Sequence, residues 1–151
     1  MDGGISMSTF NAMNISATGM TAQRLRTDII TQNLANVNTT RDANGNPYRR
    51  KTVVFSEKST LSFQDVFSTA SGTTGSGVKV SQIVEDTETQ MRKVYEPSHP
   101  DADEEGYVTY PNVNTVTEMT NLIDASRAYE ANITAFNATK SMALKALELG
   151  K

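Results

Sequence analysis

The stretch from Val113 to Leu149 constrains the fold of this 151-residue chain more than any other. Met119, Leu122, Tyr129, Ile133, Phe136, Ala143 and Leu147 recur there at alternating steps of three and four, with Ser126 and Lys140 completing the row. Seven of the nine positions are apolar, the signature of a long helix with a coiled-coil-like seam. Asn114 and Thr115 precede it, and Glu118 stands three residues after Thr115, the spacing of a capping box. Gly150 closes the run. A helix of about 37 residues is roughly 55 Å long, whereas a compact chain of this size has a radius of gyration near 15 Å. The molecule is therefore expected to be elongated.

A second helix is predicted over Ser6–Val37, which holds no Pro and one Gly, Gly19. Ile15, Ala22, Leu25 and Ile29 give it a thinner apolar stripe. Asn36 and Asn38 mark its end, since Asn tolerates the left-handed backbone that stops helices. The two stripes are expected to pack on each other as a hairpin. No third helix of similar length is legible, and the row Ala125, Ala128, Ala131, Ala135 and Ala138 flanks the C-terminal seam. Apolar helix surface is thus expected to be left over for neighbouring molecules.

Residues 39–112 contain all four prolines. Arg49–Glu57 and Gly77–Val84 are predicted as strands, Met91–Tyr95 and Gly106–Tyr110 as shorter ones. Asp42–Pro47 reads as a turn and Ser68–Gly77 as a small, polar loop. The fold class is mainly α with a β-containing insert. Segments 1–38 and 113–151 form one helical core domain, with 39–112 as the β-rich middle.

Little in the chain points to chemistry. A net charge of −3 argues against nucleic acid, and the absence of cysteine removes disulfides, thiolates and Cys-based zinc sites. No apolar run approaches the roughly 20 residues of a membrane span. The first basic residue is Arg24 and no secretory apolar region precedes it, so the expectation is a cytoplasmic chain or export without a cleaved signal. His99 is the only histidine and sits in a turn, where it is read as capping local backbone. Asp101, Asp103, Glu105 and Gly106 imitate half a calcium loop, but its twelfth position is Asn112 instead of a bidentate carboxylate. Gly72, Gly75 and Gly77 do not fit a phosphate loop, since Val78 stands where Lys would directly follow and no helix is expected there. The chain is expected to be no enzyme, with no cofactor and no metal.

Three segments carry a resemblance. They are NLANVNTT (Asn33–Thr40), PYRRKTVVF (Pro47–Phe55), and the run from YEPSHPDADEEGYVTYPNVN (Tyr95–Asn114) into EMTNLIDASRAYEANITAFNATKSMALKALELGK. Together they resemble the flagellar axial proteins of the rod and hook family, and the proximal rod of the bacterial basal body in particular. The resemblance implies a structural subunit that polymerises through its terminal helices into a hollow tube, with the middle segment outside. It implies other proximal and distal rod proteins and the basal-body adaptor as partners. It also implies delivery by the flagellar type III export apparatus, a route that absent disulfides would suit. Asn33, Leu34, Ala35, Asn36 and Thr39 would set the helix end. Tyr95, His99, Pro100, Asp101, Tyr107, Tyr110 and Asn112 would make lateral contacts. After GVKVSQIVED the chain has TETQMRKVYEP, where a shorter, proline-containing link is expected. A secreted helical translocator or needle-like protein shares the helices, but lacks the SHPDA and GYVTYPNVN stretches. A small hydrolase would need a perturbed acid, base or nucleophile in a pocket, and none is legible.

Overall fold

A computed structural model of the chain describes residues 3–58 and 76–149. Its elements are α1 (Gly3–Ala35), β1 (Lys51–Glu57), β2 (Val78–Glu85), β3 (Arg92–Tyr95), β4 (Tyr107–Tyr110) and α2 (Thr115–Leu149). All six fall on spans predicted from the sequence, with ends shifted by a few residues. The expected loop Ser68–Gly77 lies outside the described residues over 68–75. No described helix is long and apolar enough to cross a membrane.

The strands form two separate two-stranded sheets. β1 and β2 run antiparallel: Asp86 N–H donates to Arg50 O at one end (2.8 Å) and Lys58 N–H to Gly77 O at the other (2.8 Å). β3 and β4 are antiparallel with Arg92 opposite Tyr110 and Tyr95 opposite Tyr107. Val108, opposite Val94, is fully buried.

Contacts gather the described residues into two compact units, neither of them one continuous stretch. The first takes its members from residues 1–25, 55–81 and 125–151, the second from 26–54 and 82–124. In the first unit α1 and α2 approach closely at Gly19. A Cβ there would lie 2.6 Å from Asn132 Oδ1, inside van der Waals contact. Asn132 is held in turn by its Nδ2 bond to Ala128 O (2.8 Å). Ala22 and Ala125 are buried nearby on the two helices. Small side chains, rather than large apolar ones, therefore let the helices meet.

The sign of a Gly19 substitution follows from comparing magnitudes. Alanine in a helix interior gains about 1 kcal/mol over glycine, while displacing Asn132 from its hydrogen bond costs about 1 kcal/mol. Gly19→Ala is expected to be near neutral. Gly19→Val adds methyl groups that cannot be accommodated, and overpacking costs about 1–3 kcal/mol. The pair Gly19→Ala with Asn132→Ala removes the clash and keeps the propensity gain. Thermal unfolding of the purified chain is expected to order the three as Val below wild type, Ala near it and the double variant above it.

The cap and seam of α2 differ from the sequence reading. Asn114 Oδ1 accepts the N–H groups of Val116 (3.0 Å) and Thr117 (3.2 Å), so Asn114 caps the helix. Glu118 takes no part in a capping box, because its carboxylate is engaged in the interior. The seam expected through Met119, Leu122, Tyr129, Ile133, Phe136, Ala143 and Leu147 is kept only in part. Met119 is 57% exposed, Tyr129 36% and Leu147 71%, while Leu122, Ile133, Phe136 and Ala143 are half-buried. Glu118 and Ala125 are fully buried in the places expected for Met119 and Ser126. Capture of the Glu118 carboxylate turns the start of the helix, and the small Ala125 permits the close approach behind it. On α1, Ala22 and Ile29 are buried and Ile15 and Leu25 half-buried.

The end of α1 is also made differently. No described non-glycine residue has a positive φ. Asn36 stops the helix with its side chain, Nδ2 donating to Gln32 O (2.9 Å) while Oδ1 accepts the Thr39 hydroxyl (3.1 Å).

Candidate assembly interface

The second unit is organised by one buried polar cluster. Asn33, fully buried, uses all the hydrogen-bonding capacity of an amide. Its Nδ2 donates to Lys51 O (2.8 Å) and Glu118 Oε2 (2.9 Å). Its Oδ1 accepts the Lys51 N–H (2.9 Å) and the Tyr48 hydroxyl (2.9 Å). The side chain thus bonds both backbone groups of Lys51, as a neighbouring strand would, and ties β1 to the end of α1. Glu118 Oε1 accepts Arg50 Nε (2.8 Å). Burial, followed by the charges of Glu85 and Glu118, holds the Tyr48 phenol above its ordinary pKa.

A second tier surrounds this cluster. Asn112 Oδ1 accepts the Arg50 N–H (2.9 Å), and its Nδ2 donates to Asp86 O (2.9 Å) and Thr89 O (3.2 Å). Asp101 pairs with Arg41 (3.1 Å) and accepts the Thr40 hydroxyl (2.8 Å). His99 Nδ1 accepts the Asp101 N–H (3.1 Å), the local capping role read from the sequence. The segments NLANVNTT, PYRRKTVVF, SHPDA and YPNVN, distant in sequence, therefore meet in one network. Leu34 is half-buried, Ala35 and Pro100 exposed. Of the expected lateral residues, Tyr95 is 63% and Tyr107 40% exposed, whereas Tyr110 is half-buried, its hydroxyl donating to Glu96 Oε2 (3.1 Å).

Two turns carry a pH dependence. Asp42 is held below the usual carboxylate range by the N–H groups of Asn46 (3.0 Å) and Asn44 (2.8 Å). Asp86 is lowered by the Thr89 N–H (2.9 Å) and the Thr89 hydroxyl (2.8 Å). A carboxyl depressed on folding contributes stability that is present above its unfolded pKa of about 3.9 and is lost as pH falls through the folded value. The urea midpoint is expected to hold between pH 6 and 5 and to drop below pH 4. Asp42→Asn with Asp86→Asn is expected to flatten that drop.

Outside the cluster, α2 presents Val116 (73% exposed), Met119 (57%) and Ile123 (53%). Steps of three and four put them on one face. Further along, Met142, Leu144 and Leu147 are more than half exposed, as is Phe10 on α1. Among the described residues, no three His, Asp or Glu side chains gather to hold a metal ion. Polar groups spent on holding turns, with large apolar side chains left on the helices, define a structural chain made for assembly.

Comparison with known proteins sharpens that class. Residues 13–41 match the family described as flagella basal body rod protein, and residues 104–149 match the flagellar basal body rod FlgEFG protein C-terminal family. The flagellar basal-body rod protein FlgC of Bacillus subtilis is 49% identical over 152 residues, covering 96% of this chain and 100% of the relative. That of Borreliella burgdorferi is 42% identical over 150 residues, 95% of this chain and 98% of the relative. That of Salmonella typhimurium is 40% identical over 145 residues, 96% and 100%. The chain belongs to the flagellar basal-body rod proteins, a family of structural rod subunits.

Proposed function

We propose that the chain polymerises into the axial rod of the flagellar basal body by packing its terminal helices against those of neighbouring subunits. The observation that carries this reading is the apolar surface left bare on α2, from Val116 to Leu147. Fully burying a Val, Leu, Ile or Met side chain contributes about 1.5–3 kcal/mol, and a patch of this kind marks an interaction surface. The helices form one antiparallel, coiled-coil-like hairpin in an elongated subunit.

In this reading the helical segments 1–38 and 113–151 line a hollow tube and segment 39–112 lies outside. Other rod proteins, proximal and distal, and the basal-body adaptor are the neighbours, and the flagellar export apparatus delivers the chain to a rod that crosses the periplasm. The subunit acts without catalysis or cofactor. Deleting the gene is expected to abolish motility and stop the basal body before the rod, and re-expression to restore both. Purified basal bodies that lack the chain, or a deletion strain that swims normally, would contradict the proposal.

A further inference from the structure

The first unit contains a groove of about 450 Å³ between α1 and the strands, bordered by Ala17 and Leu25 on one side and Val78 and Val80 on the other. Lys58 and Lys79 are among the residues that line it. Neither ammonium group has an ion-pair partner among the described residues. The lining is thus largely apolar, with Asn14, Thr18 and Thr21 among it, and its charged members are both positive.

The turn between β3 and β4 has the opposite character. Glu104 and Glu105 are exposed, while the neighbouring Asp103 carboxylate is spent inside the turn, its Oδ1 accepting the N–H groups of Glu105 (3.1 Å) and Tyr107 (2.8 Å). Tyr95 and Tyr107 lie edge to face with centroids 5.3 Å apart. Gly106, at φ +84°, allows this, because a Cβ there would come within 2.9 Å of the Tyr95 ring. The tip is therefore acidic, aromatic and held in shape by its own hydrogen bonds. A preorganised tip loses little freedom on docking, and exposed tyrosines supply contact energy in interface centres.

We propose that this tip of one copy docks into the groove of a second copy, with Glu104 and Glu105 facing Lys58 and Lys79 and the tyrosine pair against the apolar lining. The contact rests on the rod reading and specifies one lateral interface within it. Charge complementarity selects the occupant: two carboxylates and two ammonium groups meet, while tip-to-tip and groove-to-groove pairings bring like charges together.

The natural chain has no cysteine, so introduced thiols report without background. Two differently tagged copies, one Lys79→Cys and one Glu105→Cys, are to be co-expressed and the basal bodies oxidised. A reducible heterodimer of the two tags is expected. No cross-link, or a homodimer formed by either copy alone, overturns the contact. Lys58→Glu with Lys79→Glu, and separately Glu104→Lys with Glu105→Lys, are each expected to weaken incorporation about tenfold, a loss near 1.4 kcal/mol. Mixing the two reversed copies is expected to restore tip-to-groove pairing between them. Normal incorporation of either reversed chain alone overturns the contact while leaving the rod reading intact. Absence of the wild-type chain from basal bodies overturns the rod reading, and this contact with it.

Discussion

Met119→Glu combined with Ile123→Glu is expected to leave the free chain folded and to abolish its entry into the rod. Both side chains are more than half exposed in the free chain, so each glutamate would keep its charge in water and circular dichroism and urea midpoint stay near wild type. In the proposed rod the same positions are expected to be covered by neighbouring subunits. Completing the burial of each native side chain contributes about 1 kcal/mol, roughly half of the full value. An unpaired carboxylate in that contact reverses the sign and costs several kcal/mol. The loss recurs in every copy, so incorporation fails although the monomer is sound. A double variant found in basal bodies at the wild-type level would show that this face stays in water. Leu122→Asp and Phe136→Asp differ in kind, because both residues are half-buried in the chain itself; they are expected to lower the urea midpoint as well as block assembly.

Glu118→Leu is expected to be the most damaging single change to the second unit, at about 3–5 kcal/mol. Its side chain is 1% exposed and meets Arg50 and Asn33. Leucine would leave the guanidinium without its anion and one Asn33 donor without an acceptor, and burying such groups unpaired is what makes a broken interior ion pair costly. Asn33→Leu should cost a comparable amount, since four hydrogen bonds converge on that amide. The two changes share partners, so the double variant is expected to fall short of their sum. Hydrogen exchange would locate the effect, with protection lost around Lys51 and the first turns of α2 and retained around Gly19. Uniform loss along both helices would refute the assignment of the cluster to the second unit.

Much of this architecture is legible in the residues. Periodicity and capping residues place α1 and α2, and the Val-rich runs place β1 and β2, because these signals are local. The SHPDA and YPNVN stretches announce a specific family before any contact is known. Partners remote in sequence were not legible. Glu118 reads as half of a capping box because its spacing from Thr115 fits one, yet Arg50, 68 residues away, takes its carboxylate. With Glu118 taken inward, the neighbouring Met119 lies outside the seam that its spacing suggests. Asn36 carries its stop signal in an amide that bonds Gln32, a choice composition alone does not distinguish from a left-handed backbone. The groove beside Lys58 and Lys79 leaves no trace in sequence because it joins a helix to strands more than 30 residues away.

The decisive measurement is methionine oxidation of the subunit, free in solution and within isolated rods, read by mass spectrometry. Met119 and Met142 are 57% and 64% exposed in the chain by itself, and exposed thioethers oxidise readily to the sulfoxide. Both are expected to be modified in the free subunit and protected once neighbours cover the helices. Equal oxidation of the two residues in both states would contradict the account.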